Sequence, residues 1–233
     1  MFKLICHQGW KEDGAKGNSL EAFKQAKAHG YDTIECDTRL TTDGIVVLSH
    51  DETVNGCTIQ TSTYAEVLSA IPYILKFDDL VDWCVENDMR IYIDVKDWNT
   101  RSYIATTLKY KNAVNLASCF NLYESDLADA RYGSLKGSYT DTLEDVYKQD
   151  NYFVDVNGDN WSPQQVKNYS DNGYNIEVYT INDVGKAKAF IDAGAIGITT
   201  DKVTYADIDG SKYFDFWGNP INIVYDFFGN PIK

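Results

Sequence analysis

The sequence predicts an α/β protein folded as a (β/α)8 barrel, because short apolar runs alternate with segments of helical period along most of the chain. Eight of these runs are predicted to be strands, at residues 3–6, 33–37, 91–95, 114–118, 135–139, 152–156, 175–180 and 195–199. Eight repeats in about 200 residues suit a closed barrel near the small end of that fold's usual size. An open, doubly wound sheet is the structural alternative.

Three of the helices between the strands have clear start and stop signals. Ser19 predicts an N-cap before a helix at 20–28. Ser162, followed by proline, and Asp183 predict the starts of two later helices, and a glycine follows each helix near its predicted end. These signals support the alternating pattern.

One segment breaks the alternation after the second strand. Thr42, Asp43 and Gly44 form a hairpin signal, so the chain is expected to turn back and to return His50 towards the end of that strand. Residues 52–75 show no clear period, which predicts a loop or small subdomain over the open end of the barrel. That location would suit a substrate lid.

Composition limits the classes of partner. The 233 residues include 35 acidic and 21 basic side chains, for a net charge of −14, which disfavours binding to nucleic acid or anionic lipid. A phosphate-containing substrate would therefore need a local cation, such as a bound divalent metal. The five cysteines are odd in number and form no CxxC pair, which indicates buried free thiols.

The start of the chain and the length of its apolar runs bear on localisation. The apolar run after Lys3 is only a few residues long, and no run approaches the ~20 apolar residues of a membrane span. We therefore expect a soluble, cytoplasmic protein without a cleaved signal peptide and without a transmembrane segment. Association with a virion or another surface stays open.

Two carboxylates stand together on the second predicted strand. Glu35 and Asp37 are separated by one residue, so both side chains point to the same face. Burying two unpaired carboxylates is costly, and hard oxygen ligands at this spacing suit Mg²⁺ or Ca²⁺. Two exposed acids at a strand end are the alternative interpretation.

A second charged pair, Asp94 and Lys96, ends the third predicted strand, and a simple salt bridge would explain it equally well. Both pairs, however, fall at the carboxyl ends of strands, where barrel active sites are built. His7 and His50 are predicted to lie at the same rim. His29 is predicted at a helix end, on the surface or as part of a cap.

In combination, these residues resemble the glycerophosphodiester phosphodiesterase family, in the phospholipase C-like phosphodiesterase TIM barrel superfamily. The matching motifs occur in the family's order and span the chain to about residue 202. They are His7-Gln8-Gly9, the segment 18–23, Glu35-Cys36-Asp37, the segment 40–44, His50-Asp51, Asp94-Val95-Lys96, the segment 179–183 and the segment 197–201.

The resemblance implies a barrel fold and roles for eight side chains. It implies a divalent metal, Mg²⁺ or Ca²⁺, held by Glu35, Asp37 and Asp94. It implies two catalytic histidines, His7 and His50, for general acid and base catalysis. It implies substrate binding by Gln8, Lys96 and Tyr179. Which histidine is the acid is left open.

Three of the candidate site positions depart from the family pattern. Gln8 stands where the family usually has Arg, which removes a bidentate phosphate donor. Asp94 stands where Glu is expected, so that carboxylate is one methylene shorter. Tyr179 replaces a frequent Trp and keeps an aromatic wall.

The implied reaction is metal-dependent hydrolysis of glycerophosphodiesters to sn-glycerol 3-phosphate and an alcohol. Deacylated phospholipids and glycerol-phosphate polymers such as teichoic acid are candidate substrates. A lysophospholipase D or sphingomyelinase D-like activity is an alternative, which would need an apolar patch near the mouth, for instance from Ile59, Leu68, Ile71 and Ile74. A degenerate barrel that serves as a binding module is the third hypothesis, supported by Gln8.

The C-terminal segment is predicted to be distinct from the barrel, with the barrel at 1–202 and a tail at 203–233. The heptapeptide at 215–221 recurs with one aromatic exchange at 226–232, eleven residues later. Gly-Asn-Pro between aromatic runs predicts a short β-ribbon-like appendage. Packing on the barrel and a role in oligomerisation or attachment are both compatible with this pattern.

Overall fold

The computed structural model describes residues 2–122, 127 and 130–208 and two short strands near the C-terminus. The strands are β1 (Lys3–Cys6), β2 (Thr33–Leu40), β3 (Val46–Leu48), β4 (Thr53–Val54), β5 (Cys57–Thr58), β6 (Arg90–Val95), β7 (Ala117–Phe120), β8 (Arg131–Lys136), β9 (Tyr152–Asn157), β10 (Ile176–Tyr179), β11 (Gly197–Thr200), β12 (Val224–Tyr225) and β13 (Pro231–Ile232). The α-helices are α1 (Leu20–Ala28), α2 (Tyr64–Ala70), α3 (Phe77–Asn87), α4 (Arg101–Tyr110), α5 (Pro163–Ser170) and α6 (Val184–Asp192).

Eight parallel strands close into a barrel. Their order is β1, β2, β6, β7, β8, β9, β10 and β11, and β1 pairs with both β2 and β11. This closure confirms the predicted (β/α)8 barrel and excludes the open sheet. β3 adds to β2 as an antiparallel strand, as the predicted hairpin requires.

Two barrel strands differ from their predicted bounds. Residues 114–116 form a 3₁₀ turn, and β7 begins only at Ala117. β8 begins at Arg131, four residues before the predicted start, because Arg131 pairs inside the barrel with Glu177 at 3.3 Å. Sequence rules assign apolar side chains to that face, so a strand that begins with an inward-facing arginine was placed too late in the chain.

The predicted helix starts are present. Ser19 accepts a hydrogen bond from the backbone N–H of Ala22, and Ser162 and Asp183 cap α5 and α6 in the same way. The repeat is less regular between β8 and β9. Among the described residues, that connection contains only a 3₁₀ helix, at Asp145–Lys148.

The segment 52–75 forms a small subdomain, which is one of the two predicted forms, and its location over the open end of the barrel stays a prediction. It comprises the β4–β5 hairpin and α2, which begins with a capping box at Thr63. Its apolar side chains pack with one another around Val47, and Ile59, Ile71 and Ile74 belong to this cluster. These three isoleucines therefore form part of the subdomain's own buried core.

The interior of the barrel is partly polar. Ile5, Tyr92, Phe120 and Phe153 form an inner cluster across the barrel. Space there is so limited that a Cβ on Gly133 would lie 2.4 Å from the Phe120 ring. Towards the amino ends of the strands, two cations enter the interior and share the Glu177 carboxylate. Lys3 Nζ lies 2.7 Å from Glu177 Oε1, and Arg131 pairs with the same oxygen.

The packing of the barrel continues past residue 202. Val203, Tyr205 and Ile208 are buried in the main core, and the Tyr205 hydroxyl accepts a hydrogen bond from the backbone N–H of Leu4 at 2.9 Å. Beyond residue 208, β12 and β13 pair antiparallel, and the rest of the predicted tail lies outside the described residues. The domain division at residue 202 stays a prediction.

All five cysteines are free, and four of them are buried. Within the described part of the chain, the helices are too short or too polar to span a bilayer.

Candidate active site

A cavity of about 370 Å³ opens at the carboxyl ends of the barrel strands. Seven of the eight predicted site residues line it: His7, Glu35, Asp37, His50, Asp94, Lys96 and Tyr179. The eighth, Gln8, hydrogen-bonds to two of these residues. The barrel therefore brings together side chains that lie more than 170 positions apart in the sequence.

Three buried carboxylates form one cluster in this cavity. Glu35 and Asp37 share a face of β2, as their spacing predicts, and Asp94 is the register partner of Asp37 on β6. One oxygen from each lies within 4.8 Å of the others. The short side chain of Asp94 thus reaches the same point as its neighbours.

This cluster is electrostatically under-compensated. Burial, and then the charges of Asp37 and Asp94, raise the pKa of Glu35 well above its usual range. Lys96 supplies a cation: its Nζ lies 2.7 Å from Asp94 Oδ2 and 3.2 Å from Asp37 Oδ1. Burial alone would lower the pKa of Lys96, but these two carboxylates raise it, so the lysine stays charged.

Gln8 orients two of the carboxylates. Its backbone N–H donates to Glu35 Oε2 at 3.0 Å, and its side-chain amide donates to Asp37 Oδ2 at 2.9 Å. The residue has φ +58°, in the left-handed region, which is uncommon for a residue other than glycine and is concentrated at functional sites. The amide that replaces the family's arginine therefore contacts the carboxylate cluster.

Asn18 is a site residue that the sequence indicated only as a member of the motif at 18–23. Its side-chain amide donates to Asp37 Oδ2 at 2.8 Å, and its carbonyl oxygen accepts from the Asp37 backbone N–H at 3.1 Å. It is 4% exposed and has φ +61°. The motif that contains Asn18 was visible in the sequence, but this pairing depends on where α1 begins.

His7 is held by a hydrogen-bond network centred on Asp201, which directly follows the last barrel strand. Its Nδ1 lies 2.8 Å from Asp201 Oδ1, which also accepts from Lys11 Nζ at 2.7 Å. Asn182 donates to Asp201 Oδ2 at 2.6 Å. Burial alone would raise the pKa of Asp201, but these hydrogen bonds hold it well below its usual range. Asp201 therefore stays ionised and fixes the imidazole.

His50 lies on the other side of the cluster, where β3 ends. Its Nδ1 is 2.8 Å from Asp51 Oδ1, and its backbone oxygen accepts from the Arg39 guanidinium at 2.7 Å. The side chain is 56% exposed, so it borders the cavity from the solvent side. His29 instead caps the end of α1 and stacks on Trp10, outside the cavity.

The wall away from the carboxylate cluster is formed by Leu135, Asp155 and Tyr179, from β8, β9 and β10, while Phe120 lies beside Asp94 on the neighbouring strand. Tyr179 provides the predicted aromatic surface. Asp155 was not predicted as a site residue. It is an acidic residue inside the apolar run of β9, and the alternation of side chains along a strand could have indicated it as a candidate.

The donor set fits a hard divalent cation. Three carboxylates converge within ligand distance of one another, while Lys96 is the cation that bridges two of them in the described structure. Oxygen ligands of this kind suit Mg²⁺ or Ca²⁺. Burial, and then the two neighbouring carboxylates, raise the pKa of Glu35, and Lys96 opposes this rise only weakly.

Comparison with known proteins identifies the family. The model of the glycerophosphoryl diester phosphodiesterase family matches residues 7–157, which is more than half of the chain. The chain belongs to this family. The match confirms the predicted resemblance, and it covers seven of the eight predicted site residues.

Relatives of this family member include characterised and uncharacterised proteins. The uncharacterised protein YqiK of Bacillus subtilis is 27% identical over 86% of this chain and 95% of its own length. Human glycerophosphodiester phosphodiesterase 1 is 32% identical over 41% of this chain and 34% of its own length.

Solved structures share the barrel. A glycerophosphodiester phosphodiesterase from Thermotoga maritima has a TM-score of 0.72 and 23% identity, covering 86% of this chain and 95% of that one. An Oleispira antarctica phosphodiesterase, solved with sn-glycerol 3-phosphate, has a TM-score of 0.72 and 18% identity, covering 85% of this chain and 92% of that chain. At these identities the likeness supports the fold alone.

Proposed function

We propose that this protein hydrolyses glycerophosphodiesters to sn-glycerol 3-phosphate and an alcohol in a divalent-metal-dependent reaction. The observation that carries the proposal is the convergence of two histidines, three carboxylates and one lysine on a single cavity. Membership of the family supports the same reaction class. Candidate substrates are small glycerophosphodiesters and glycerol-phosphate polymers.

The chain's own groups suit the steps of phosphodiester hydrolysis. Lys96 offers a point charge to the phosphate, and one histidine removes a proton from the attacking hydroxyl group or water. The other histidine donates a proton to the leaving oxygen. With Nδ1 of His7 held by Asp201, Nε2 is the nitrogen of that ring that exchanges the proton.

Glu35, Asp37 and Asp94 would hold the metal ion, which when bound polarises a phosphate oxygen and offsets the charge that grows in the transition state. Gln8 and Asn18 orient the carboxylates through hydrogen bonds. Loss of one such supporting contact typically lowers metal affinity or activity by about 10- to 100-fold.

Three observations favour this function over the alternatives. Three of the four side chains considered for acyl-chain binding, Ile59, Ile71 and Ile74, are 7% exposed or less and pack inside their own subdomain. The cavity volume, about 370 Å³, is near the small end for ligand sites and suits a deacylated substrate. The retained histidines and carboxylates favour catalysis over a binding module.

The test is release of sn-glycerol 3-phosphate from glycerophosphocholine and glycerophosphoethanolamine with Mg²⁺, with Ca²⁺ and with chelator. We expect chelator-sensitive release, and we expect His50→Ala to lower kcat by at least about 100-fold. His29→Ala is the matched control, because His29 lies outside the cavity, and it should keep kcat close to wild type. Absence of release with either metal would contradict the proposal.

A further inference from the structure

A second cavity lies at the amino ends of the barrel strands, at the other end of the barrel from the candidate active site. The first residues of four strands line it, namely Lys3, Arg90, Ala117 and Arg131. Its volume is about 610 Å³, which is within the range of small-molecule sites and larger than that of the active-site cavity. The proposed reaction gives this amino-terminal cavity no role.

The amino-terminal cavity is basic although the chain is acidic. Three of the chain's 21 basic side chains, Lys3, Arg90 and Arg131, line it. Among the described residues, the one acidic side chain in its lining is Asp150, which is exposed. The side chains of Lys3 and Arg131 are only 12% and 15% exposed. Burial of a cation is costly without an opposite charge, so the compensation of these cations decides what the cavity can bind.

Two of the cations share one carboxylate oxygen. Lys3 Nζ lies 2.7 Å from Glu177 Oε1, and Arg131 Nη2 lies 3.3 Å from the same atom. Burial lowers the pKa of Lys3 to about 8, although the charge of Glu177 opposes this effect, and the charge of Arg131 adds to it. Two positive charges therefore face one negative charge at this point.

The other carboxylates nearby leave this excess in place. The charge of Arg90 acts on Asp32, directly before β2, so these two compensate each other. Burial, and then the charge of Glu177, raise the pKa of Asp155 well above its usual range, which favours its neutral form. With Asp32 and Glu177 both ionised, three cations still face two carboxylates inside the cavity. The exposed Asp150 is screened by solvent.

Lys3 and Arg131 also have donors to spare. A guanidinium has five N–H donors, and in the described part of the chain Arg131 uses two of them, towards the Tyr92 hydroxyl and Glu177. The ammonium of Lys3 donates to Glu177 and lies over the Tyr92 ring, 5.1 Å from its centroid. A network that served only to stabilise the barrel would need one cation for the one carboxylate. The second cation therefore points to a ligand.

We propose that the amino-terminal cavity binds a small organic oxyanion, a carboxylate or phosphate group on a compact apolar body. Arg131 and Lys3 donate to its oxygens, because charge-assisted hydrogen bonds suit an oxyanion. Phe2, Leu116 and Ile196, which also line the cavity, contact the apolar part. This inference does not depend on the proposed reaction, since the two cavities lie at opposite ends of the barrel.

The first experiment is isothermal titration calorimetry of the full chain, with chelator present and at low ionic strength. The probes are benzoate, phenyl phosphate, benzamide and benzamidine. Benzoate, benzamide and benzamidine are similar in shape and are negative, neutral and positive. We expect benzoate or phenyl phosphate to bind at least about 10-fold more tightly than benzamide, and we expect no binding of benzamidine. The oxyanion that binds more tightly identifies the preferred head group.

Variants locate the bound anion. Arg131→Gln should weaken its binding by at least about 10-fold, because charge-assisted hydrogen bonds are lost. Asn151→Asp adds a negative charge at an exposed position of the cavity wall and should weaken binding by about threefold or more. Asn168→Asp makes the same change on α5, outside the cavity, and Lys96→Met removes the cation of the candidate active site. Both should stay within about twofold of wild type.

Four results would overturn the proposal. They are equal affinity for benzoate and benzamide, absence of binding of both oxyanions, tighter binding of benzamidine than of benzoate, and a loss of binding in Lys96→Met that Arg131→Gln does not share. The last result would place the anion in the active site. If Arg131→Gln does not fold, the comparison of Asn151→Asp with Asn168→Asp decides, and equal affinity of these two variants would exclude the amino-terminal cavity.

Discussion

Asp37 is the residue at which the separate parts of the candidate site meet. Its Oδ2 accepts hydrogen bonds from Gln8 and Asn18, and its Oδ1 lies 3.2 Å from Lys96 Nζ. Gln8 and Asn18 are neutral donors, which compensate a carboxylate less than a guanidinium does. The exchange of the family's arginine for Gln8 therefore leaves the cluster more dependent on a cation.

Asp201 illustrates how a supporting residue contributes to stability. Its pKa in the folded protein lies below the unfolded value, so its stabilisation is fully present above about pH 4 and is lost as the pH falls further. We expect Asp201→Asn to lower the free energy of unfolding at neutral pH by on the order of 1 kcal/mol, allowing for partial solvent screening. The difference from wild type should shrink below about pH 4.

Urea unfolding at neutral pH and at about pH 2 measures this difference. Asp159→Asn is the control, since that carboxylate is 82% exposed and its pair with Lys186 should contribute little. A difference for Asp201→Asn that stays constant down to about pH 2 would contradict the role given to its charge.

At the scale of elements, the turn after β1 sets the position of His7 and Gln8 against α1. Gly9 has φ +80°, and a Cβ there would lie 2.7 Å from the backbone carbonyl carbon of Ala22 in α1. Gly9→Ala should therefore displace the turn, lowering Tm and lowering kcat by about 10-fold or more. Thermal unfolding and the glycerophosphocholine assay measure the two effects.

Gly14 provides a matched control for Gly9. It also has a positive φ, +90°, but a Cβ there would meet no atom within 4 Å. Gly14→Ala should therefore lower Tm only through the strained backbone conformation, and it should keep kcat close to wild type. If both variants lose activity equally, the close packing of Gly9 on α1 does not position the site.

The elements also show how far the sequence could predict the structure. β1 and α1 were predicted with the observed bounds, because apolar period and capping residues both mark them. β8 was misplaced because its interior face contains Arg131, whose pairing with Glu177 joins strands 46 positions apart. Asn18 and Asp201 were recognised only as members of sequence motifs, because their contacts with Asp37 and His7 form when the barrel closes. Local patterns do not encode such pairs.

At the scale of the whole molecule, a net charge of −14 and a buried acidic cluster predict that a divalent cation stabilises the fold. At an ion concentration about 100 times Kd, we expect Mg²⁺ or Ca²⁺ to raise Tm by about 5–10 °C relative to chelator. Asp94→Asn should remove most of this shift. Asp155→Asn should keep it, because Asp155 lies on the opposite wall. An equal shift in the Asp94 variant would place the ion elsewhere.

The aromatic repeat at the C-terminus gives the last prediction. We propose that residues 212–233 mediate oligomerisation or attachment, because this segment contains two copies of an aromatic heptapeptide. Among the described residues, the barrel core extends to Ile208, which is 1% exposed. Deletion of 212–233 should therefore keep Tm and kcat/KM near wild type but lower the molar mass in solution, measured by light scattering, or abolish surface binding. Unchanged mass, stability and surface binding together would contradict the proposal, since the repeat would then have no role beyond the chain itself.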